Sequence, residues 1–311
     1  MRILVLGAGA IGGYYGMQLA VAGADVRFLV RPGRAAQLTR DGLVLESRGQ
    51  RMRHAVQTLQ AGQVGPAFDL ILLTCKAYDL PSAIAAIAPA VGPGAVVLPL
   101  LNGLAHFDDL DARFGRDRVL GGLCYIAVAL GSDGIIRHTS PTDEIRFGSR
   151  TGSDPAQART LADLFARTPV KADLSSDIVP ALWEKWCMIA ASAALTCLLR
   201  GTVGEIAATD DGAAVATALM AECQSVAAAC GFPQRPEAIE RTRRQLTDPA
   251  SKWAASMMRD IEANVPRLEA DHIIGDLIRR GSGAGVAMPM LRAAFAQMQI
   301  YNARGAARVT A

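Results

Sequence analysis

Apolar and polar positions follow two different rhythms along this chain. In the first half, short β-branched runs recur between helical stretches: RILVL at 2–6, DVRFLV at 25–30, LVLES at 43–47, DLILLTCK at 69–76 and AVVLPLLNG at 95–103. YYGMQLAVAG, ending at Gly23, reads as the helix after the first run, and SAIAAIAPAV as the helix before the last. Further strands are expected at LGGLCYIAVAL, GIIRHT and EIRFGS, with a helix from Pro155 to Arg167. Strand, glycine-rich turn, helix and second strand make a βαβ unit. Beyond residue 175 the strand signals stop. From Asp177 onward the pattern reads as helix, interrupted at GFPQRP, TDPAS and GSGAGVAMP. This predicts an α/β Rossmann domain over residues 1–174 and an all-α domain over residues 175–311.

Composition agrees with two packed domains. The 311 residues are 51% hydrophobic and 20% charged, which is the make-up of a core-rich folded chain. A net charge of +3 with no dense basic block gives no argument for nucleic acid, and none is expected as a partner; Arg241, Arg243 and Arg244 read as a solvated helix face. The six cysteines (75, 124, 187, 197, 223 and 230) form no C-x-x-C pair, and the four histidines (54, 106, 138 and 272) have no ligand spacing. No metal site is expected, and the thiols read as buried in a reducing, cytoplasmic setting. Ile3 to Leu6 starts the fold without a charged leader, and no apolar stretch escapes interruption by glycine or charge, so no membrane span is expected.

Three places carry candidate chemistry. Gly7-Ala8-Gly9-Ala10-Ile11-Gly12 follows a strand and opens a helix, the context in which G-x-G-x-x-G cradles a dinucleotide pyrophosphate. The second strand ends in Arg31, with Arg34 close behind, where NAD-preferring sites place a carboxylate; a guanidinium there suits the 2′-phosphate of NADPH. Lys76 and Asn102 close two later strands at the same carboxyl edge, where ligands of parallel sheets bind. In the helical half, Ile178–Leu199 holds only Glu184 and Lys185 as charges. A lysine in so apolar a helix needs a partner, a wet cleft or a shifted pKa, which makes Lys185 a functional candidate. Ser192 and Thr196 share its helical face, where hydroxyls also bond back to helix carbonyls.

The ordered set ILVLGAGAIGG, Arg31, LLTCKAYD, LLNGL, GGLCYIA, LWEKW, ASMMRD and EADHIIGDLIRRG resembles the ketopantoate reductases (2-dehydropantoate 2-reductases) over nearly the whole chain. The resemblance implies a Rossmann domain followed by an all-α domain of the 6-phosphogluconate dehydrogenase C-terminal type. It implies that the Gly7–Gly12 loop, Arg31, Lys76, Asn102 and Ala127 hold NADPH. Lys185 looks like the general acid and Glu269 like the acidic residue that meets substrate and cofactor. Asn102, Ser192 and Ser256 would contact the substrate, with Ser256 on its carboxylate. Ile189 and Ala193 stand where the best-known members carry asparagines, and the gap from Ser256 to Glu269 is one residue longer than the family pattern.

The expected reaction is reduction of a small anionic 2-keto acid, 2-dehydropantoate to pantoate in pantothenate biosynthesis, in a cleft between the domains of a cytoplasmic oxidoreductase, with a homodimer expected on family grounds. Two other readings keep the fold. One is a related keto-acid or hydroxyacid dehydrogenase with another substrate. The other is an NADPH-binding sensor without turnover.

Overall fold

The structure is a computed structural model that describes residues 1–310. The chain separates into two compact units: Met1–Leu101 with His106–Val179, and Asn102–Ala105 with Pro180–Ala311.

The first unit runs β1 (Arg2–Leu6), α1 (Ala10–Val21), β2 (Asp25–Leu29), α2 (Pro32–Asp41), β3 (Leu43–Ser47), β4 (Gln50–His54), β5 (Gln57–Leu59), β6 (Leu70–Leu73), α3 (Leu80–Ile87), β7 (Val96–Pro99), α4 (His106–Phe114), β8 (Gly121–Leu130), β9 (Ile135–Gly148), α5 (Ala156–Phe165) and β10 (Lys171–Leu174). Five strands form a wholly parallel sheet in the order β5-β2-β1-β6-β7. The order reverses at β1, so the loop after β1 lies at the switch point where doubly wound sheets bind ligands. β6 and β7 are buried along their whole length, which is why they read as unbroken apolar runs. A second, mixed sheet has the order β10-β9-β3-β4, with β8 antiparallel to β9.

Helix α1 packs against strands of both sheets, and its glycines make this close approach possible. A Cβ on Gly12 would come within 2.3 Å of the Gly7 carbonyl, and one on Gly16 within 2.5 Å of the Phe28 ring in β2. On another face, a Cβ on Gly13 would come within 2.2 Å of Ile136 in β9. Tyr14, Tyr15, Met17 and Leu19 are at most 1% exposed, as expected of a helix with no solvent face. Gly23 (φ +94) then ends the helix in a Schellman motif: Ala24 N–H donates to the Leu19 carbonyl and Gly23 N–H to that of Ala20.

Three strands escape the sequence reading. β4 (QRMRH), β5 (QTL) and β10 (KADL) are polar or very short and lie at sheet edges, where no second apolar face marks them. GIIRHT and EIRFGS are two parts of one strand, β9. Pro141 falls where the β8–β9 register shifts, between the pairs Ile126–Asp143 and Val128–His138, so its missing N–H costs no rung there.

The second unit is helical: α6 (Ile178–Leu199, which begins in the last residues of the first unit), α7 (Val203–Ala207), α8 (Gly212–Ala229), α9 (Pro236–Leu246), α10 (Ser256–Glu262), a π-helical turn (Asp271–Gly275), α11 (Asp276–Gly283) and α12 (Pro289–Thr310). The helices break at the three expected loops. A capping box of Thr202 and Glu205 also starts α7, and the Glu222 carboxylate accepts from Met290 and Leu291 N–H at the start of α12. By length and composition α6 and α8 could each cross a membrane; 78% of the α6 window and 39% of the α8 window are buried within the protein, and core helices pass the same test.

Candidate active site

The three motif glycines meet three different demands. Gly7 adopts φ +90, a left-handed conformation that favours glycine. Gly12 is excluded from carrying a side chain by the loop carbonyl behind it. Gly9 is different: its backbone is extended (φ −80, ψ −160), and a Cβ there would meet no protein atom within 4 Å. The fold itself therefore does not require glycine at position 9, whereas close approach by a ligand backbone or phosphate does. The N–H groups that open α1, around Ala10 and Ile11, have no intrahelical acceptor and add a partial positive charge. Beside this loop, Arg34 donates to the Ala8 carbonyl at 3.1 Å, to Gln37 at 2.7 Å and to the Gly134 carbonyl at 3.2 Å. Its remaining Nη2 is buried with no partner among the described residues. An open glycine, free helix-start N–H groups and an orphaned guanidinium donor fit the phosphates of a dinucleotide.

Arg31 follows β2 as the residue before α2, with its side chain 85% exposed and 3.6 Å from the Asp79 carboxylate. Lys76 lies just past β6, half-buried, before the turn Ala77–Asp79. Ala127 sits at the β-bulge of β8; its N–H donates to the Ser140 hydroxyl at 2.8 Å and its carbonyl accepts from the Thr139 hydroxyl at 3.4 Å.

In the second unit, Lys185 is 8% exposed and its Nζ donates to Asn102 Oδ1 at 3.3 Å. Two residues 83 positions apart in the sequence thus meet as a buried cation and its acceptor. Aromatic packing fixes this stretch of α6. Trp183 stacks on Phe232 with centroids 5.2 Å apart, and Trp186 donates its indole N–H to the Ile273 carbonyl at 2.8 Å. Ile273 in turn donates to the Glu269 carbonyl at 3.1 Å, tying α6 to the segment that carries Glu269. Glu269 is 7% exposed and stands at the entrance of the π-helical turn; such turns are often found at functional sites.

Two expected substrate contacts are placed differently. Ser192 is fully buried, and its hydroxyl donates to the Met188 carbonyl one turn back; this corrects its reading as a substrate contact. Ser256 is exposed at the first position of α10.

Other residues of these units gave no clear sequence signal. Gly103 (φ +80) turns the chain so tightly against His272 that a Cβ would stand 3.0 Å from the His272 carbonyl and 3.1 Å from its ring. Burial lowers the His272 pKa against the opposing pull of Glu269, Asp276 and Asp271. Beside Lys185, Glu184 is gripped by Arg235 through bonds of 2.6 and 2.7 Å. Burial alone would raise the Glu184 pKa, but the Arg235 hydrogen bonds and charge outweigh it and hold it below the usual carboxylate range.

A Rossmann sheet with an open glycine loop, followed by a helical unit holding a buried lysine, defines the class of two-unit oxidoreductases. Known proteins narrow the class. The pattern of the ketopantoate reductase PanE/ApbA family matches residues 3–152, and that of its C-terminal domain residues 177–302. An uncharacterized oxidoreductase, YkpB, of Bacillus subtilis is 36% identical over 97% of this chain and 99% of its own. A 2-dehydropantoate 2-reductase of Mesorhizobium japonicum is 26% identical over 88% of this chain and 89% of its own. Among solved structures, a PanE/ApbA family ketopantoate reductase from Ralstonia eutropha superposes with a TM-score of 0.88 at 28% identity, covering 98% of this chain and 100% of that one. A D-mandelate dehydrogenase solved with NADH and anilino(oxo)acetate shares the fold, with a TM-score of 0.88 at 23% identity over 98% of this chain and 99% of that one. The chain belongs to the ketopantoate reductase family of oxidoreductases.

Proposed function

We propose that this protein reduces a small 2-oxo acid to the 2-hydroxy acid with NADPH, and that Lys185 is its general acid. The observation that carries this reading is the buried ammonium of Lys185 bonded to the Asn102 amide oxygen. NADPH, when bound by the Gly7–Gly12 loop with Arg31 and Lys76, supplies the hydride. As the substrate's ketone carbon is reduced, negative charge grows on its oxygen. The Lys185 ammonium stabilises that charge and donates the proton, an effect strongest in the transition state. Asn102 aims the ammonium by accepting one of its protons. Glu269 holds Lys185 charged and accepts from the nascent hydroxyl, and Ser256 meets the carboxylate.

Ketopantoate is the natural first substrate to try, because the family and several relatives carry its name. Arg31 favours NADPH over NADH, since its exposed guanidinium is able to pair with a 2′-phosphate once it leaves Asp79. The test is loss of reduced-nicotinamide absorbance over a panel of 2-oxo acids, with each dinucleotide in turn. The reading expects turnover of at least one acid and a higher kcat/KM for NADPH. Tight NADPH binding with no turnover of any acid would instead identify a sensor.

A further inference from the structure

We infer that the substrate's side chain is received by an apolar wall on α6 built from Met188 and Ile189, so that 2-oxo acids with a hydrocarbon side chain are preferred over those carrying a hydroxyl. The inference rests on the assignment of Lys185 above and adds the substrate class.

Lys185 begins a stripe along α6. Residues 188 and 189 follow one turn on, 192 and 193 two turns on, and 196 three turns on. Helical side chains lean toward the N-terminus, so Met188 and Ile189 cover the surface beside Lys185. Both are half-buried, whereas their helix neighbours Trp186, Cys187, Ala190 and Ala191 are at most 2% exposed. Between Ala181 and Leu195 they are the residues that are not buried, and so offer a ligand more surface than their neighbours do.

The hydroxyls further along the stripe are closed to a ligand. Ser192 is 0% exposed and donates to the Met188 carbonyl; Thr196 is 0% exposed and donates to the Ser192 carbonyl at 2.9 Å. Ala193 brings only a buried methyl. Beyond the ammonium, the stripe therefore offers a thioether and hydrocarbon. The polar groups of this unit that the reading uses are committed to the reacting end: Asn102 to Lys185, Glu269 to the nascent hydroxyl and Ser256 to the carboxylate. A substrate hydroxyl against Met188 and Ile189 would leave water and meet on that wall only hydrocarbon and a thioether, a weak acceptor.

Two acids isolate this effect. Ketopantoate and 3,3-dimethyl-2-oxobutanoate share a carbon skeleton and differ by one terminal hydroxyl. An apolar pocket rejects an added hydroxyl by up to about 10²-fold, whereas a site built to bind it rejects the analogue lacking it by about 10⁴-fold or more. We expect the wild-type enzyme to favour the hydroxyl-free acid by about 10-fold or more in kcat/KM. Ile189→Asn should shift the ratio back toward ketopantoate by about 10-fold through a new amide partner. A wild-type preference for ketopantoate would overturn the inference and leave the reductase reading standing. Turnover of neither acid, nor of any other 2-oxo acid, would overturn both.

Discussion

At the scale of single residues, the glycine loop was legible in the sequence and the partners of Lys185 were not. A lysine in an apolar helix announces that it needs an acceptor, but the acceptor, Asn102, lies 83 positions away, and only the folded chain brings the two together. Ser192 shows the converse. Its spacing from Lys185 was correct, but a hydroxyl in mid-helix has a carbonyl within reach one turn back, and that bond prevails. Glu184 and Arg235 give a quantitative test. Removing the Arg235 side chain leaves a buried carboxylate without its guanidinium partner, so Arg235→Ala should cost about 2 kcal/mol at neutral pH by chemical denaturation. The sign of the pH dependence follows from the lowered Glu184 pKa. Its contribution is complete above the unfolded glutamate pKa of about 4.3 and is lost as pH falls through the folded value. The gap between wild type and variant should therefore close in acid, and a gap independent of pH would remove the ion pair from the stability of α6.

At the scale of elements, α1 shows why a glycine-rich motif serves packing and binding together. Gly12, Gly13 and Gly16 allow the helix to approach its flanking strands, while Gly9 faces open space. Substitution should separate the two roles. Gly9→Ala should leave stability within about 0.5 kcal/mol of wild type and weaken NADPH binding at least about tenfold. Gly12→Ala should lower Tm as well, because the new methyl meets the Gly7 carbonyl. Calorimetry and dinucleotide titration on the two variants check this, and equal losses of Tm would contradict it. The strands of the parallel sheet were readable because burial on both faces makes them continuous apolar runs. The edge strands β4, β5 and β10 were not, since polar residues on one thin edge resemble loop. The π-helical turn after Glu269 carried no signal in its residues.

At the scale of the whole molecule, the switch from alternating strands and helices to helices alone was visible in hydrophobic period, because the two architectures bury their apolar faces differently. The return of Asn102–Ala105 to the helical unit was not, since those four residues follow a strand and read as its end. Thiol chemistry offers a global probe of both cores. Cys124, Cys187, Cys197 and Cys223 are buried, and burial pushes the Cys187 and Cys197 thiols up to about 12. Only Cys75 and Cys230 are partly accessible. Native protein should therefore yield at most two thiols to a disulfide reagent, against six after denaturation. Rapid titration of more than two would contradict the packing of β8, α6 or α8 around these thiols.

The most direct measurement concerns residue 185 itself: single-turnover reduction of the best 2-oxo acid by Lys185→Ala, beside its NADPH dissociation constant. Loss of the general acid should slow the chemical step by about 10²–10⁴-fold while NADPH binds as in the wild type. An unchanged rate would show that the proton comes from another group.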